Sequence, residues 1–171
     1  MAGFSLKKLL HYSLHKKIIR MMPNLGLSVG EGIAVWKKIG LSNVETKKAK
    51  AFITKITDNF EVKDEDTIDK VTAISGSGPA YFFFLADSLV KTAMDLGLKE
   101  KESRILVEKT FLASAVLGKN SDYSLLVSRI ASKKGTTEAA LRVFKNRKIN
   151  KTIREAVTAA YKRAKELSHG K

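Results

Sequence analysis

The stretch Ser132-Lys133-Lys134-Gly135-Thr136-Thr137 has the residue types of a carboxylate receptor. Two threonines follow a glycine, and Glu138 opens a run of helix formers. A helix starting here presents backbone N–H groups that have no partner inside the helix, at the positive end of its dipole. Such an end takes an anion without any charged side chain. Taken alone, the stretch favours a plainer purpose: Thr136 or Thr137 acts as the N-cap, with Glu138 in the first turn.

A second stretch, Ser75-Gly76-Ser77-Gly78-Pro79-Ala80, combines small residues with a proline suited to a first helical turn. It reads either as a ligand-adjacent helix start with free N–H groups or as a tight helix–helix corner. His11 and His15 are four apart on a short helix, but no third ligand is evident, so no metal site is expected. Asp64-Glu65-Asp66 reads as a solvated helix start rather than a carboxylate site. There is no G-x-G-x-x-G fingerprint and no Walker loop. With no cysteine in the chain, thiol nucleophiles, disulfides and cysteine-bound metals are excluded.

The elements that must position these groups change character along the chain. Ser5 caps a short helix through His15, with Leu6, Leu9, Leu10 and Leu14 on one side. Lys17–Met22 reads as a strand stopped by Pro23-Asn24, and a loop bearing Gly26, Gly30 and Gly32 follows. A second strand, Ile33–Ile39, precedes a helix from Ser42 or Asn43 to about Thr57, striped by Ala49, Phe52, Ile53 and Ile56. Phe60–Lys63 is a short strand. From Asp64 onward only helix signals occur: Pro79 to Gly97, Glu102–Leu117, Asp122–Ala131, a helix from Thr136 or Thr137, and Asn150–Leu167.

The expected fold is mainly α: a helical domain at 64–171, preceded by a short remnant α/β segment at 1–63. So few strands rarely complete a sheet by themselves. The helix after Pro79 is apolar nearly all round. Phe82, Leu85, Ala86, Leu89, Ala93 and Leu96 form one face, and Phe83, Phe84, Val90 and Met94 fill much of the rest. Such a helix must be enclosed on most sides. The next helix is similarly rich, so burial by a second subunit in an interlocked homodimer is expected.

The chain has 171 residues and a formal charge of +15. Both ends are basic and the middle is neutral. Of the 32 basic residues, 25 are Lys and 7 are Arg, which suits solvated helix faces better than phosphate recognition, so nucleic acid is not the expected partner. No apolar run is long enough to span a membrane, and Lys7 and Lys8 interrupt the only candidate signal core. A cytoplasmic protein is expected.

Four stretches, in order and at suitable spacing, resemble pyrroline-5-carboxylate reductase. They are Ile19-Arg20-Met21-Met22-Pro23-Asn24, Val29-Gly30-Glu31-Gly32, the run from Glu65 through Ser75-Gly76-Ser77-Gly78-Pro79-Ala80 to Tyr81, and Ser132 to Thr137. The resemblance implies an N-terminal Rossmann domain that binds NADPH or NADH, then a helical dimerisation domain with the active site at the dimer interface. It implies reduction of the cyclic imine acid 1-pyrroline-5-carboxylate to proline.

By that similarity Ser132, Gly135, Thr136 and Thr137 hold substrate. Thr137 is the catalytic residue, with its hydroxyl near the ring nitrogen, and Met22, Pro23 and Asn24 lie toward the nicotinamide. Ala2-Gly3-Phe4-Ser5 resembles the turn leaving one of the last Rossmann strands. The expectation is a truncated form, inactive alone, that pairs with itself and works with a separate Rossmann-domain polypeptide. The alternatives are a non-enzymatic dimeric remnant and a basic nucleic-acid-binding module. The family's Pro-Gly is Lys133-Lys134 here. If that glycine serves close backbone approach or a positive φ, Lys134 distorts the loop or crowds the nicotinamide; alternatively its ammonium strengthens carboxylate binding.

Overall fold

The computed structural model describes residues 3–169, so Ala2 lies outside the described residues. The protein is mainly α, with one small sheet near its N-terminus. Two compact units are present. One runs up to Ala80 and adds the stretch from Glu155 onward; the other is Tyr81–Arg154.

The first unit is built on a three-stranded sheet in the order β1 (Ile18–Pro23), β2 (Ile33–Ile39), β3 (Asp58–Glu61). β1 and β2 are antiparallel, with Ile18 opposite Ile39 and Pro23 opposite Ala34. β2 and β3 are parallel, so the chain crosses over through α2 (Asn43–Thr54). Ser42 starts α2 with a full capping box: its hydroxyl accepts from Glu45 N–H, and the Glu45 carboxylate accepts from Ser42 N–H. β3 begins two residues earlier than its apolar pattern suggests. Asn59 explains the register: its side-chain oxygen accepts from Trp36 Nε1 at 2.9 Å, and its amide donates to Thr54 at 3.0 Å.

Val35, Val62 and Ile68 form the core of this unit, with Met22 and Val71 against it. Trp36 is fully buried. The amphipathic stripes are narrower than read: α2, which ends at Thr54 rather than about Thr57, buries Ile53 while Phe52 stays exposed, as does Ile56 beyond its end, and the first helix buries only Leu6. That helix, α1 (Leu6–Tyr12), also stops short of His15. Ser13 turns extended, and its hydroxyl accepts from His15 N–H, so His11 and His15 do not share a helix.

α3 (Asp66–Val71) runs into a π turn at Thr72–Gly76 and then into α4 (Gly78–Asp95). Gly97, at φ 94°, ends this run in the left-handed conformation that glycine adopts freely. α5 (Glu100–Gly118), α6 (Tyr123–Ile130) and α7 (Thr136–Asn146) complete the second unit, and α8 (Ile149–His169) closes the chain.

The second unit buries little of its own apolar surface. Phe82 meets Phe111 edge-on at 6.3 Å. Phe83, Phe84, Leu96, Leu106, Val116 and Leu117 are exposed, Phe84 by 76% and Leu96 by 81%. Burying one such side chain contributes about 1.5–3 kcal/mol. Faces of this size on a single chain are the signature of an interaction surface.

Candidate functional site

Gly135 is the N-cap of α7, and no side chain caps this helix. Thr136 and Thr137 are its first two residues, so neither is the N-cap; this corrects the capping expectation. The Thr137 hydroxyl and the Thr136 and Thr137 N–H groups have no partner among the described residues. The loop before them is tightly drawn: Gly135 N–H donates to Ser132 O at 3.0 Å, and Ser132 N–H to Ile130 O at 3.0 Å. A Cβ at Gly135 would run into Ser132 Oγ and lie 3.0 Å from Ser132 O, so a side chain there would make the Ser132 hydroxyl turn away and the loop give slightly. Ser132 and Thr136 are exposed, while Gly135 and Thr137 are half-buried. The four residues thus share one loop and helix start, whose two free amides and free hydroxyl are of the kind that can receive an anion.

Lys134 carries φ 61°. Lys134 thus takes up the left-handed conformation that a glycine adopts freely. The Lys134 N–H donates to Glu138 Oε2 at 2.6 Å.

Met22, Pro23 and Asn24 lie in the other unit, at the end of β1 and its exit. Met22 packs on the core, its methyl 2.9 Å from where a Cβ on Gly76 would stand. Pro23 pairs with Ala34 at the strand end and has no N–H to offer. The Asn24 side chain is already committed, accepting from Ile33 N–H at 3.0 Å, and so closes the turn to β2. These residues offer an apolar wall but no phosphate cradle. By themselves Met22, Pro23 and Asn24 therefore do not make a dinucleotide site.

Within Ser75–Ala80 α4 begins at Gly78, directly after the π turn. Val71, Thr72 and Ser77 all stay right-handed, and Ser77 N–H donates to Thr72 O at 2.8 Å in the π pattern. Ser77 N–H and Ala80 N–H are thus both taken, the latter by Ser77 O at 3.0 Å, and Pro79 has no N–H. Single π turns of this kind recur at functional positions.

One cluster was not foreseen. Arg20, 3% exposed, reaches Glu65 at 2.5 Å, Asp69 at 3.2 Å and Ser168 at 3.4 Å. Ser168 in turn donates to Asp69 at 2.8 Å, and Glu65 also accepts Leu6 N–H. The Arg20 Nε–H is buried without a partner. The network ties β1, two residues before Met22, to α3, α1 and the end of α8. Asp64-Glu65-Asp66 does open α3, as read, with Glu65 at the N-cap, but its carboxylates are engaged as well as partly solvated. Asp64 holds Thr67, Glu65 holds Arg20, and Asp66 accepts from Tyr161 at 2.5 Å and pairs with Lys70 at 2.8 Å.

Lys70, followed by the Tyr161 hydroxyl, pulls the Asp66 carboxyl down to about 2. Lys17, followed by Ser42, does the same to Glu45. In the unfolded chain these carboxyls take up protons at their ordinary, higher values. Between about pH 4 and about pH 2 the unfolded state binds more protons, so stability falls as pH drops through that window. An acid titration followed by circular dichroism should show this fall, and Asp66→Asn should flatten it. An unchanged slope in that variant would remove Asp66 from the account.

Comparison with known proteins bears on this geometry. The family model for pyrroline-5-carboxylate reductase dimerisation matches residues 65–167. The pyrroline-5-carboxylate reductase of Haemophilus influenzae is 35% identical over 156 residues, which is 89% of this chain and 58% of that protein. The Synechocystis pyrroline-5-carboxylate reductase is 33% identical over 170 residues, 98% of this chain and 63% of that protein. The crystal structure of the Plasmodium falciparum pyrroline carboxylate reductase with NADP bound is similar at TM-score 0.87 and 29% identity, covering 98% of this chain and 68% of that one. The chain thus spans about three-fifths of the relatives it matches, 58% and 63% in these two cases.

Proposed function

This chain belongs to the pyrroline-5-carboxylate reductase family, and from that premise we propose that its 171 residues supply the imine-acid site and the subunit pairing of such a reductase. The observation that carries the reading is the uncapped start of α7, with its free amides and free Thr137 hydroxyl. In the proposed reaction the C=N carbon of 1-pyrroline-5-carboxylate gains a hydride and the ring nitrogen gains a proton, giving proline. The Thr136 and Thr137 amides take the substrate carboxylate at the positive end of the α7 dipole. The Thr137 hydroxyl donates to the ring nitrogen and steadies the charge that changes there. Being neutral, it does this without a shifted pKa.

Reduced NADP or NAD is the hydride source that the family resemblance implies. Supporting this, the Plasmodium falciparum reductase was crystallised with NADP bound. The sequence has no G-x-G-x-x-G fingerprint, so the dinucleotide site would be furnished by a dinucleotide-binding portion like that of the longer relatives. Residues 1–63 are then the edge of that α/β portion, and 64–171 the dimerisation and substrate half. A second copy covers the exposed apolar faces of α4 and α5, so the working form is a homodimer.

The test has two parts. Sedimentation equilibrium at micromolar concentration should give twice the single-chain mass. These residues mixed with NADPH and 1-pyrroline-5-carboxylate should show no saturable NADPH oxidation, and adding the dinucleotide-binding portion of a relative should restore it. A single-chain mass, or turnover by these residues unaided, would overturn the proposal.

A further inference from the structure

The start of α7 departs from the ordinary way a helix begins, and the departure lies in Glu138. In α2 the third helical residue, Glu45, reaches back to the N-cap amide at 2.9 Å, while Ser42 supplies the other arm. In α7 the corresponding N-cap amide, Gly135 N–H, is already spent on Ser132 O. Glu138, also third in its helix, therefore reaches one residue further out, to Lys134 N–H at 2.6 Å. No hydroxyl arm accompanies it.

The residue it holds is in the left-handed conformation at φ 61°, which disfavours any side chain. Such a turn persists only where its surroundings over-determine it. A carboxylate on a backbone amide is a charge-assisted bond, among the stronger single restraints available. It closes a ring from Lys134 through Gly135, Thr136 and Thr137 to Glu138. The ring contains both amides assigned to the substrate carboxylate, and those amides are left unclaimed.

We propose that Glu138 is a positioning residue for the imine-acid site: by holding Lys134 N–H it fixes the left-handed turn and aims the Thr136 and Thr137 amides. This rests on the substrate reading given above. The negative charge itself is not what the site uses. It stands near the place of an anion and opposes it, and only the acceptor oxygen is needed. Glutamine therefore suffices, and a chain with glycine at 134 has little need of the clamp.

The full chain tests this with L-proline as ligand, followed by calorimetry, and with exchange of the Lys134 amide followed by nuclear magnetic resonance. Glu138→Ala should weaken L-proline about tenfold, corresponding to about 1.4 kcal/mol, and speed Lys134 exchange. Glu138→Gln should bind L-proline at least as tightly as the parent. In a Lys134→Gly background the same Glu138→Ala change should cost less than about twofold, because a coupled pair is not additive. A role in stability alone would lower the melting temperature of Glu138→Ala and leave its L-proline affinity untouched; that result would overturn the proposal. So would an equal loss in both backgrounds. If the parent chain binds no L-proline while its Lys134 amide stays protected, the substrate reading fails and the positioning role fails with it.

Discussion

Replacing Thr137 by alanine is expected to lower turnover about a hundredfold in the assembled enzyme, the usual range for removing one hydrogen-bond donor or proton-transfer group from a reacting centre. The assembled enzyme here is this chain together with the dinucleotide-binding portion of a relative. The loss should fall on kcat. The ring nitrogen changes charge during reduction, so a donor beside it stabilises the transition state more than the bound substrate. Thr136→Ala removes a hydroxyl but no amide, so it should change KM and kcat little. Thr137→Ser keeps the hydroxyl and should recover most of the rate. A Thr137→Ala enzyme with unaltered kcat would take Thr137 out of the chemistry and leave only its amide in the site.

The second large effect concerns stability. Arg20→Ala should destabilise the sheet unit by about 3–5 kcal/mol, because removing one member of a buried ion pair leaves its partner charged and unmatched. Asp69, 4% exposed at its side chain, is that partner. Glu65 is more open and can recover water. Ser168→Ala deletes one neutral donor and should cost only about 0.5–1.5 kcal/mol. The ordering matters more than either number. The Arg20 Nε–H is already buried without a partner, so the arginine is not there for an ideal set of bonds. It is there because β1, α3 and α8 each direct a polar group at the same point. Denaturant unfolding of the variants, read from the fluorescence of Trp36, the chain's only tryptophan, reports this unit directly. Equal midpoints for Arg20→Ala and Ser168→Ala would contradict the assignment.

What the sequence discloses follows from the range of the interactions involved. The Ile33–Ile39 strand is legible to the residue because both edges are marked, by Gly32 and Gly40. The helices from α4 to α8 are legible because their apolar residues recur at helical spacing and their ends carry local signals such as Gly97 and Asp122. The Asp122 side chain indeed accepts from Ser124 and Leu125 N–H. The loop at Lys134 is legible for a similar reason, since a missing glycine raises the question of φ. The Arg20 network is not legible. Its members lie 45, 49 and 148 residues from Arg20, and no periodicity joins them. β3 starts two residues before its apolar pattern does, because polar Asp58 and Asn59 join the ladder to β2, Asn59 also accepting from Trp36 Nε1. The role of Glu138 was missed because the N-cap amide it would ordinarily take is spent on Ser132, and that depends on the fold of the loop.

The central claim is that the α7 start receives the imine acid's carboxylate. The most direct measurement is an amide-resolved magnetic resonance titration of the purified chain with L-proline. The Thr136 and Thr137 amide signals should move together and saturate, with Gly135 following, while amides of β1 and β2 stay in place. Saturable shifts elsewhere with Thr136 and Thr137 unmoved would contradict the account.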